Sequence, residues 1–359
     1  MTKEKINTID IIPQMISSDD AILVTGPSGF IGQRVVASLI KRGYHNLRLL
    51  VRPSSDRSQL RELIKSAGLD PESMFVEGNL LNLQDCVNST KGVKVVYHLA
   101  AGTGQKAFAA AFLGSVVTTR NLLEGCVASA TLKRFVNISS FAVYSNRNKK
   151  LGGLLDESSP MIDRAADRGG AYCYAKVKQD ELVMEYGEKH GINYVLMRPG
   201  VVYGPGRQSL SGRVGLDTFG FFAHLGGGNQ IPLTYVDNCS DAIVLAGITP
   251  GVEKEIFNIV DDDLPTSRQL LRSFKKNVRW FISVPVPKPL SFLFCWIWEK
   301  YSKWSEGQLP PAYNRMTWHA YWKRTRYSNT KLKIRLNWKP SISYDEGLAR
   351  FFEINTAAN

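Results

Sequence analysis

The 359-residue sequence contains few of the cysteines and histidines that cross-link small secreted domains or bind structural metals. Its five cysteines are scattered and odd in number, with neither CxxC spacing nor paired histidines. This pattern argues against a disulfide framework and a zinc site, so we predict reduced thiols and no metal. The five cysteines are Cys86, Cys126, Cys173, Cys239 and Cys295.

Long hydrophobic runs are also missing. The first twenty residues mix charged and short apolar segments and lack the apolar core of a signal peptide, so we predict a cytoplasmic location. The apolar run at 290–298 is too short to cross a bilayer. Hydrophobic residues at 44% and charged residues at 21% are ordinary for a globular protein with one large domain, or with a main domain and a smaller cap.

Positive charge is concentrated in one part of the chain. Residues 266–339 contain 16 lysines and arginines but only two acids, Glu299 and Glu306, giving a local charge of +14 within the total of +13. The rest of the chain therefore sums to about −1. All seven tryptophans lie in the same window. This composition distinguishes the C-terminal part from a plain α/β core.

A glycine-rich turn near the N terminus is the strongest local motif. Residues 22–25 predict a short apolar strand, Gly26, Gly29 and Gly32 follow at intervals of three, and residues 31–40 have a helical apolar pattern. Glycine has no Cβ, so a pyrophosphate can approach backbone N–H groups at the positive end of the helix. The order of strand, turn and helix predicts a dinucleotide site. The alternative is a tight turn with no ligand.

The remaining apolar pattern predicts an α/β fold. Strands alternate with helices, which indicates right-handed crossovers and a Rossmann-type doubly wound parallel sheet with ligands at the carboxyl ends of its strands. The predicted strands are 47–51, 74–77, 93–99, 134–138 and 193–197, the last broken at 198–200, and the main later helices are 107–128 and 173–190. We divide the chain into an N-terminal extension (1–20), a dinucleotide-binding domain (21–200) and a smaller, mainly substrate-binding region (201–359), with some segments returning to the sheet.

Arg52 follows the second predicted strand, where the adenosine ribose lies in such folds. An acid there would accept from the 2′-hydroxyl of NAD, whereas an arginine would pair with the 2′-phosphate of NADP. We therefore expect NADP to be favoured over NAD. The alternative is that Arg52 is a solvated residue at the end of a strand.

A serine, a tyrosine and a lysine form the candidate catalytic set. Tyr172 and Lys176 are four residues apart at a helix start, so both project from one face, and Ser140 follows the predicted strand 134–138. A lysine near a phenol lowers its pKa, and a serine hydroxyl holds a substrate carbonyl. Tyr174 and Lys178 have the same spacing and form a second register.

Together with several further motifs, these residues make the sequence resemble the extended short-chain dehydrogenase/reductase family over nearly its whole length. The resemblance implies Tyr172 as the catalytic acid/base, Lys176 as the residue that lowers its pKa and holds the nicotinamide ribose, and Ser140 as the residue that orients the substrate oxygen. Seven ordered segments carry it: TGPSGFIG (25–32), VYHLAAG (96–102), NISSFAVY (137–144), YCYAK (172–176), RPGVVYGPG (198–206), YVDNCSDAI (235–243) and FNIVDDD (257–263).

The same resemblance implies which residues contact the cofactor. Besides Tyr172 and Lys176, they are Thr25, Gly26, Ser28, Gly29, Phe30, Ile31, Gly32, Arg52, Asn79, Leu80, Leu99, Ala100, Ala101, Pro199, Gly200 and Val202. Two positions depart from the family pattern. Asn79 stands where an adenine-contacting Asp is common, and an amide retains hydrogen-bonding capacity. Ser115 stands where a helix Asn is common, which puts a water-mediated proton relay in question.

The substrate class has two interpretations. The apolar run at 290–298 resembles 3β-hydroxysteroid dehydrogenase-like members and favours hydride transfer at a secondary alcohol or ketone of a lipophilic compound. Alternatively, the basic residues receive the diphosphate of a nucleotide sugar, as in a 4-epimerase or dehydratase. A non-catalytic protein that senses or binds a dinucleotide is a third hypothesis. The expected partners are a small-molecule substrate and a second copy in a homodimer, with no nucleic acid.

The Trp-rich basic window also predicts peripheral contact with an anionic membrane through residues 280–326. In this hypothesis tryptophans lie at the membrane boundary and basic residues meet the headgroups. The alternative is ordinary packing with a solvated basic face. The residues assigned to the contact are Trp296, Trp298, Lys300, Lys303, Lys323, Arg324 and Arg326.

Overall fold

The computed structural model describes residues 14–102, 107–168, 170–207, 210–218, 220–305, 308 and 313–356. Fourteen strands lie in this part of the chain: β1 (Ile22–Thr25), β2 (Leu47–Val51), β3 (Phe75–Glu77), β4 (Val95–His98), β5 (Arg134–Ile138), β6 (Gly153–Leu155), β7 (Tyr194–Pro199), β8 (Val201–Tyr203), β9 (Gly215–Asp217), β10 (Phe222–His224), β11 (Leu233–Tyr235), β12 (Glu255–Ile259), β13 (Ser283–Pro285) and β14 (Thr325–Tyr327).

The helices of the described residues are numbered in the same way. A π-helical turn lies at Leu113–Val117, and short 3₁₀ turns lie at Phe141–Val143 and Ala165–Arg168. The α-helices are α1 (Phe30–Lys41), α2 (Ser58–Ser66), α3 (Leu83–Thr90), α4 (Phe108–Phe112), α5 (Thr118–Ser129), α6 (Ala171–Lys189), α7 (Val236–Ile248), α8 (Ser267–Asn277), α9 (Lys288–Trp304), α10 (Arg315–Tyr321), α11 (Thr330–Leu336) and α12 (Tyr344–Thr356).

Seven strands form the central parallel sheet, in the order β12-β7-β5-β4-β1-β2-β3. The chain runs outward from β1 through β2 to β3, then crosses back to β4 on the other side of β1. In register, Thr25 lies between Leu50 and His98. The change of direction makes the carboxyl ends of β1 and β4 a topological switch point, where such sheets bind ligands. The predicted doubly wound Rossmann-type fold is confirmed.

Both faces of the sheet are buried, which explains the continuous apolar strands. Ile22 and Val24 of β1 lie in one hydrophobic cluster, which also contains residues of α1 and α7. Leu23, between them, points to the opposite cluster, which includes Leu122 of α5 and Val183 of α6. Alternate side chains therefore anchor helices on both sides, as the period of two in a strand requires.

Several boundaries differ from those expected. β7 does not break at Arg198 but continues through Pro199, because the Arg198 guanidinium is buried against Asp180 (3.0 Å) and Pro199 pairs in register with Ile259 of β12. The strands expected at 74–77 and 93–99 are shorter, and the helix expected at 107–128 contains the π turn. These differences leave the order of elements unchanged.

The C-terminal region is interleaved with the first two hundred residues. It supplies β12 to the central sheet and α7 to the helix layer beside α1, and β14 pairs with β6. The described end of the N-terminal extension also packs on the core, where Ile16 is 4% exposed and the Met15 N–H donates to the Ile248 carbonyl at 2.9 Å. Residues 1–13 of that extension lie outside the described residues.

The residues assigned to membrane contact are not all accessible. Lys323 is buried, and its Nζ donates to backbone carbonyls including that of Asn146 (2.9 Å), so it cannot meet headgroups. Trp298 is half-buried against the Tyr313 ring, with centroids 5.7 Å apart. Trp296 is exposed. Among the described residues, no helix combines the length and the hydropathy that a membrane span requires.

Candidate active site

The glycine turn between β1 and α1 has the shape of a phosphate cradle. Gly26 has φ +67°, and a Cβ there would lie 2.9 Å from the Ala100 nitrogen. A Cβ on Gly32 would lie 2.1 Å from the Gly26 carbonyl oxygen. Helix α1 begins after Gly29 with neither a side-chain cap nor an acid in its first turn. Its N–H groups are therefore left for an anionic ligand, and these residues fit the pyrophosphate of a dinucleotide.

A buried histidine joins the carboxyl ends of β1 and β4. His98 Nδ1 hydrogen-bonds to Thr25 Oγ1, and His98 Nε2 to Thr119 Oγ1, each at 2.8 Å. Thr119 donates its own proton to the Ser115 carbonyl (2.5 Å), so it accepts from His98, and Nε2 carries the ring proton. Burial lowers the pKa of His98 to about 3 and keeps the ring neutral. His98 therefore fastens the carboxyl ends of β1 and β4 to Thr119 in α5.

The same hydrogen-bonded chain continues to the candidate lysine. Gln179 Nε2 donates to Thr119 Oγ1 (2.8 Å), and Gln179 Oε1 accepts from Lys176 Nζ (2.8 Å). Lys176 also donates to the Ile138 carbonyl at 2.6 Å. It is 4% exposed, and burial lowers its pKa to about 8. The sequence motifs did not indicate a role for Thr119 or Gln179. The position of Gln179, one turn beyond Lys176 on the same helix, is the local feature that could have indicated a contact with the lysine.

The two serines after β5 have different environments. Ser139 is buried and donates to Asp180 Oδ2 at 2.7 Å, the carboxylate that also pairs with Arg198. Ser140 is half-buried, and its Oγ accepts from the Ala142 N–H at 3.1 Å. Since Ser139 is committed to a buried ion pair, Ser140 is the serine available to a ligand.

Tyr172 lies in the first turn of α6, beside Ser140. Although 36% of its surface is accessible, protein surrounds most of the phenol, and the loss of hydration raises its pKa. Hydrogen bonding with Ser140 and the charge of Arg207 act in the opposite direction. The pKa of Tyr172 is thus raised, and the ammonium of Lys176, which is predicted to lower it, donates to the Ile138 carbonyl and to Gln179.

The residues of the second register, Tyr174 and Lys178, make other contacts. The Tyr174 ring packs on Phe108 and Phe112, with centroids 5.5 and 6.4 Å away. Lys178 is half-buried and pairs with Glu181 at 2.7 Å. Tyr174 thus contributes to the packing of helices, and Lys178 forms an ion pair at the surface. Their placement favours Tyr172 and Lys176 as the functional pair.

A cavity of about 200 Å³ opens beside Tyr172. Its walls are mainly aromatic and apolar, and its one charged lining residue, Arg168, already donates to the Ala142 carbonyl at 2.7 Å. Arg207 is exposed and lies over the Phe30 ring at 5.4 Å. The residues that line the cavity are Ala142, Arg168, Gly170, Tyr172, Cys173, Leu216, Tyr313, Thr317, Tyr321 and Trp322.

Three other predicted cofactor residues, Arg52, Asn79 and Gly200, follow the carboxyl ends of central strands, whereas Pro199 ends β7 and Val202 lies in β8. Arg52 is exposed after β2, and its guanidinium has no hydrogen-bond or ion-pair partner within the described part of the chain. Asn79 follows β3, but its Oδ1 accepts from the Leu81 N–H at 3.0 Å, so the side chain is partly used by its own loop. Gly200 follows β7 and packs so closely that a Cβ would lie 2.2 Å from the Pro232 carbonyl oxygen.

Ser115, the second departure from the family pattern, is buried inside the π turn between α4 and α5. Its Oγ accepts from the Gly102 N–H at 3.0 Å, and its carbonyl accepts from Thr119. A π turn marks a local widening of a helix and often lies at a functional site. Here it brings α5 into the hydrogen-bonded chain that ends at Lys176.

Comparison with known sequences identifies the family. The profile of the NAD dependent epimerase/dehydratase family matches residues 22–259. The chain belongs to this family. The predicted relation to the extended short-chain dehydrogenases/reductases is confirmed, and with it the nicotinamide dinucleotide as the class of cofactor that the family uses.

Two relatives match this family member over nearly their whole length. A decarboxylating sterol-4-alpha-carboxylate 3-dehydrogenase of Dictyostelium discoideum is 24% identical, covering 91% of this chain and 98% of that protein. A 2-alkyl-3-oxoalkanoate reductase of Stenotrophomonas maltophilia is 25% identical, covering 92% and 97%. A trifunctional UDP-glucose 4,6-dehydratase of Arabidopsis thaliana is 28% identical over 51% of this chain. That match covers only 28% of the length of the Arabidopsis protein.

Solved structures of the family share the fold. The UDP-glucuronic acid 4-epimerase of Bacillus cereus, solved with UDP-glucuronic acid and NAD, superposes with a TM-score of 0.68. It is 22% identical, and the match covers 94% of this chain and 100% of that one. At this identity the likeness establishes the architecture and leaves the substrate to be argued from the site.

Proposed function

We propose that the protein is an NAD(P)-dependent oxidoreductase that interconverts a secondary alcohol and a ketone, with Ser140, Tyr172 and Lys176 as its acid–base set. The observation that carries the proposal is the proximity of Ser140 and Tyr172 beside the cavity. Lys176 lies one turn further along α6. Ser140 follows β5 and Lys176 donates to Ile138, the last residue of β5, so both lie at the carboxyl edge of the sheet from which the glycine turn also leaves. Hydride transfer is expected at this edge, where such sheets bind ligands.

In this mechanism Tyr172 donates its proton to the carbonyl oxygen during reduction and accepts it during oxidation. The Ser140 hydroxyl holds the same oxygen by a hydrogen bond. The raised pKa of Tyr172 keeps the phenol protonated near neutral pH, which suits the reducing direction. Lys176 donates to ligand hydroxyls from a fixed position. When bound, the nicotinamide supplies or accepts the hydride.

We propose further that the substrate is a lipophilic 3-hydroxy or 3-oxo acid. The names of the two full-length relatives describe such chemistry: both substrates carry an oxygen function on the carbon next to the one bearing the carboxylate, and both have apolar substituents. The aromatic walls of the cavity suit the apolar part. Arg207, exposed and electrostatically coupled to Tyr172, is the proposed carboxylate partner.

The proposal is tested by turnover of a panel that contains hydrophobic 3-oxo acids, their methyl esters and UDP-sugars. We expect NADPH consumption in proportion to hydroxy-acid product, with Tyr172→Phe reducing kcat at least about 100-fold while cofactor binding persists. Tyr174→Phe is the matched control and retains activity. Epimerisation of a UDP-sugar without net cofactor consumption would establish the alternative function and overturn this one.

The role of Arg207 has a separate test. Arg207→Gln is expected to raise KM about 10- to 100-fold for a 3-oxo acid but not for its neutral methyl ester, since one charge-assisted hydrogen bond is worth about 1.5 to 3 kcal/mol. Equal effects on acid and ester would show that Arg207 does not recognise the carboxylate. A rise in the KM for NADPH alone would instead assign the side chain to the cofactor.

A further inference from the structure

Helix α9 has the reverse of the burial expected for a surface helix. Its buried residues are Ser291, Cys295 and Ser302, whereas large apolar side chains face outward. The outward residues recur at intervals of three or four and therefore form one stripe along the helix. These exposed residues are Leu290, Leu293, Phe294, Ile297, Tyr301 and Trp304, with exposures of 47 to 76%. We call this stripe the outer face of α9.

The charges around the outer face are mostly positive. The helix has one acid, Glu299, which is turned inward and paired with Arg315 at 2.9 Å. Lys300 and Lys303 are exposed, and Lys303 keeps 74% of its side-chain surface accessible despite a contact with Glu299. In the segment before the helix, Trp280 is also exposed, and the exposed Arg279 lies 3.9 Å from Asp217.

We propose that the outer face of α9 docks on an anionic membrane surface. A 17-residue helix is about 25 Å long, and one apolar stripe with lysines beside it lies in the plane of a bilayer interface. Tyr301 and Trp304 stand at its C-terminal end, and such amphipathic rings prefer the headgroup level. Anionic headgroups complement the flanking lysines. A dimer through this face would bring the lysines of both copies into one interface, whereas anionic headgroups neutralise them.

The inner side of α9 connects this surface to the site. Cys295 and the half-buried Phe292 pack in one cluster with Trp318, Trp322 and Tyr321. Trp322 and Tyr321 line the cavity beside Tyr172. The docked helix would therefore form the outer layer of the cavity wall, where a lipophilic compound enters from the bilayer. The membrane contact itself is measured without substrate, so it stands or falls separately from the proposed reaction.

The test is flotation of the full chain with phosphatidylcholine vesicles that contain or lack about 30% phosphatidylserine. We expect at least about tenfold stronger binding to the anionic vesicles and a blue shift of tryptophan emission that Trp304→Phe reduces. Leu293→Asn with Ile297→Asn should lower binding about tenfold or more, and Lys300→Gln with Lys303→Gln should lower it and weaken its salt dependence. Ile334→Asn, an exposed apolar residue on α11, is the matched control.

Each variant is first checked for an unchanged melting temperature and unchanged NADP binding, which separates loss of docking from loss of fold. Failure of the wild type to bind anionic vesicles would overturn the proposal, as would binding that the two asparagine substitutions leave unchanged. A concentration-dependent dimer that the same substitutions dissociate, without vesicle binding, would reassign the face to a second copy of the chain.

Discussion

At the scale of single residues, the site depends on groups that share hydrogen bonds across distant parts of the chain. Lys176 is positioned by an amide one turn along its own helix, and that amide is held by Thr119 and, through it, His98. Each polar atom in this chain is buried, and removing one partner leaves the next unsatisfied. The position of the Lys176 ammonium is therefore set by this hydrogen-bond network and not by the spacing of the sequence motif alone.

Gln179 is predicted to be a positioning residue for Lys176. Gln179→Leu removes one of the two acceptors of the buried ammonium, so the pKa of Lys176 should fall further below about 8. Because the charged form donates to the ligand hydroxyls, NADPH binding declines as pH rises through that pKa, and the decline should move to lower pH in the variant. Fluorescence titration between about pH 6 and 9.5 measures the shift.

The matched control for this prediction is Gln179→Glu, which keeps an acceptor and adds a negative charge. It should move the decline to higher pH, because a nearby anion stabilises the ammonium. If both variants bound NADPH with the wild-type pH profile, Lys176 would not be the titrating group that the network controls.

Arg52 is predicted to select NADP. Its exposed guanidinium follows β2 and has no partner within the described part of the chain, whereas the nearby Arg57 pairs with Glu77 at 2.5 Å. Arg52→Gln should therefore weaken NADP binding by about 1.5 to 3 kcal/mol and leave NAD nearly unchanged. Arg57→Gln serves as the control at the same sheet edge. Calorimetric titration that found NAD the tighter ligand of the wild type would contradict the preference.

At the level of elements, α9 is held to the molecule by polar contacts together with the half-buried Phe292, whose ring packs on Trp318 with centroids 5.0 Å apart. The bond from Arg315 Nε to Glu299 Oε2 (2.9 Å) joins it to α10, and the Trp318 Nε1–H donates to Ser291 Oγ at 2.9 Å. Within the outer face, Phe294 lies 6.4 Å from the Tyr313 ring between centroids, although it remains largely exposed. Because Glu299 is turned inward and is only partly accessible, its ion pair with Arg315 is expected to stabilise the protein more than an exposed pair does.

Glu299→Gln is predicted to destabilise the protein by about 1 kcal/mol near pH 7, as for a partly buried ion pair. Hydrogen bonding and charge from Arg315 lower the pKa of Glu299 to about 2. A lowered carboxyl pKa stabilises the fold above the unfolded pKa and loses this effect as pH falls, so the difference should shrink between about pH 4.5 and 2.

Denaturant unfolding at several pH values measures this difference. Glu346→Gln, in an exposed pair with Arg350 (2.6 Å), is the control and should change stability by only a few tenths of a kcal/mol. A Glu299→Gln effect that did not depend on pH would show that the carboxylate charge is irrelevant to the docking of α9.

At the scale of the whole molecule, the dinucleotide-binding and substrate-binding parts share one core. β12 forms an edge of the central sheet beside β7, and α7 packs on α1. Trp338 is buried, and its Nε1–H donates to the Asn238 carbonyl at 3.1 Å, which fastens the segment after α11 to α7. A boundary at residue 200 therefore separates two parts of the sequence that pack together in one core.

We predict that residues 14–200 do not fold as an independent domain. Without β12 and α7, the fragment exposes the outer edge of β7 and the apolar side of α1. It should show no cooperative unfolding transition and no NADP binding, whereas residues 14–356 should show both. Circular dichroism melts with calorimetric titration compare the two. Cooperative unfolding of the shorter fragment with retained NADP affinity would establish a separable domain.

The sequence predicted six of the seven strands of the central sheet and the glycine turn, because strand and helix periods and the positive φ of Gly26 are local properties of a few neighbouring residues. It also limited the catalytic pair to two registers, since spacing of four puts side chains on one helix face. Packing in three dimensions supports the first register over the second, because the Tyr174 ring lies against Phe108 whereas Tyr172 lines the cavity.

Tertiary structure also decided which charged and aromatic residues of the C-terminal window are accessible. Lys323 and Lys303 are alike in the sequence, yet one is buried among backbone carbonyls and the other is exposed. The links from Thr25 through His98 and Thr119 to Gln179 join four elements that lie up to 154 positions apart. Such contacts depend on how strands and helices pack, and no local periodicity encodes them.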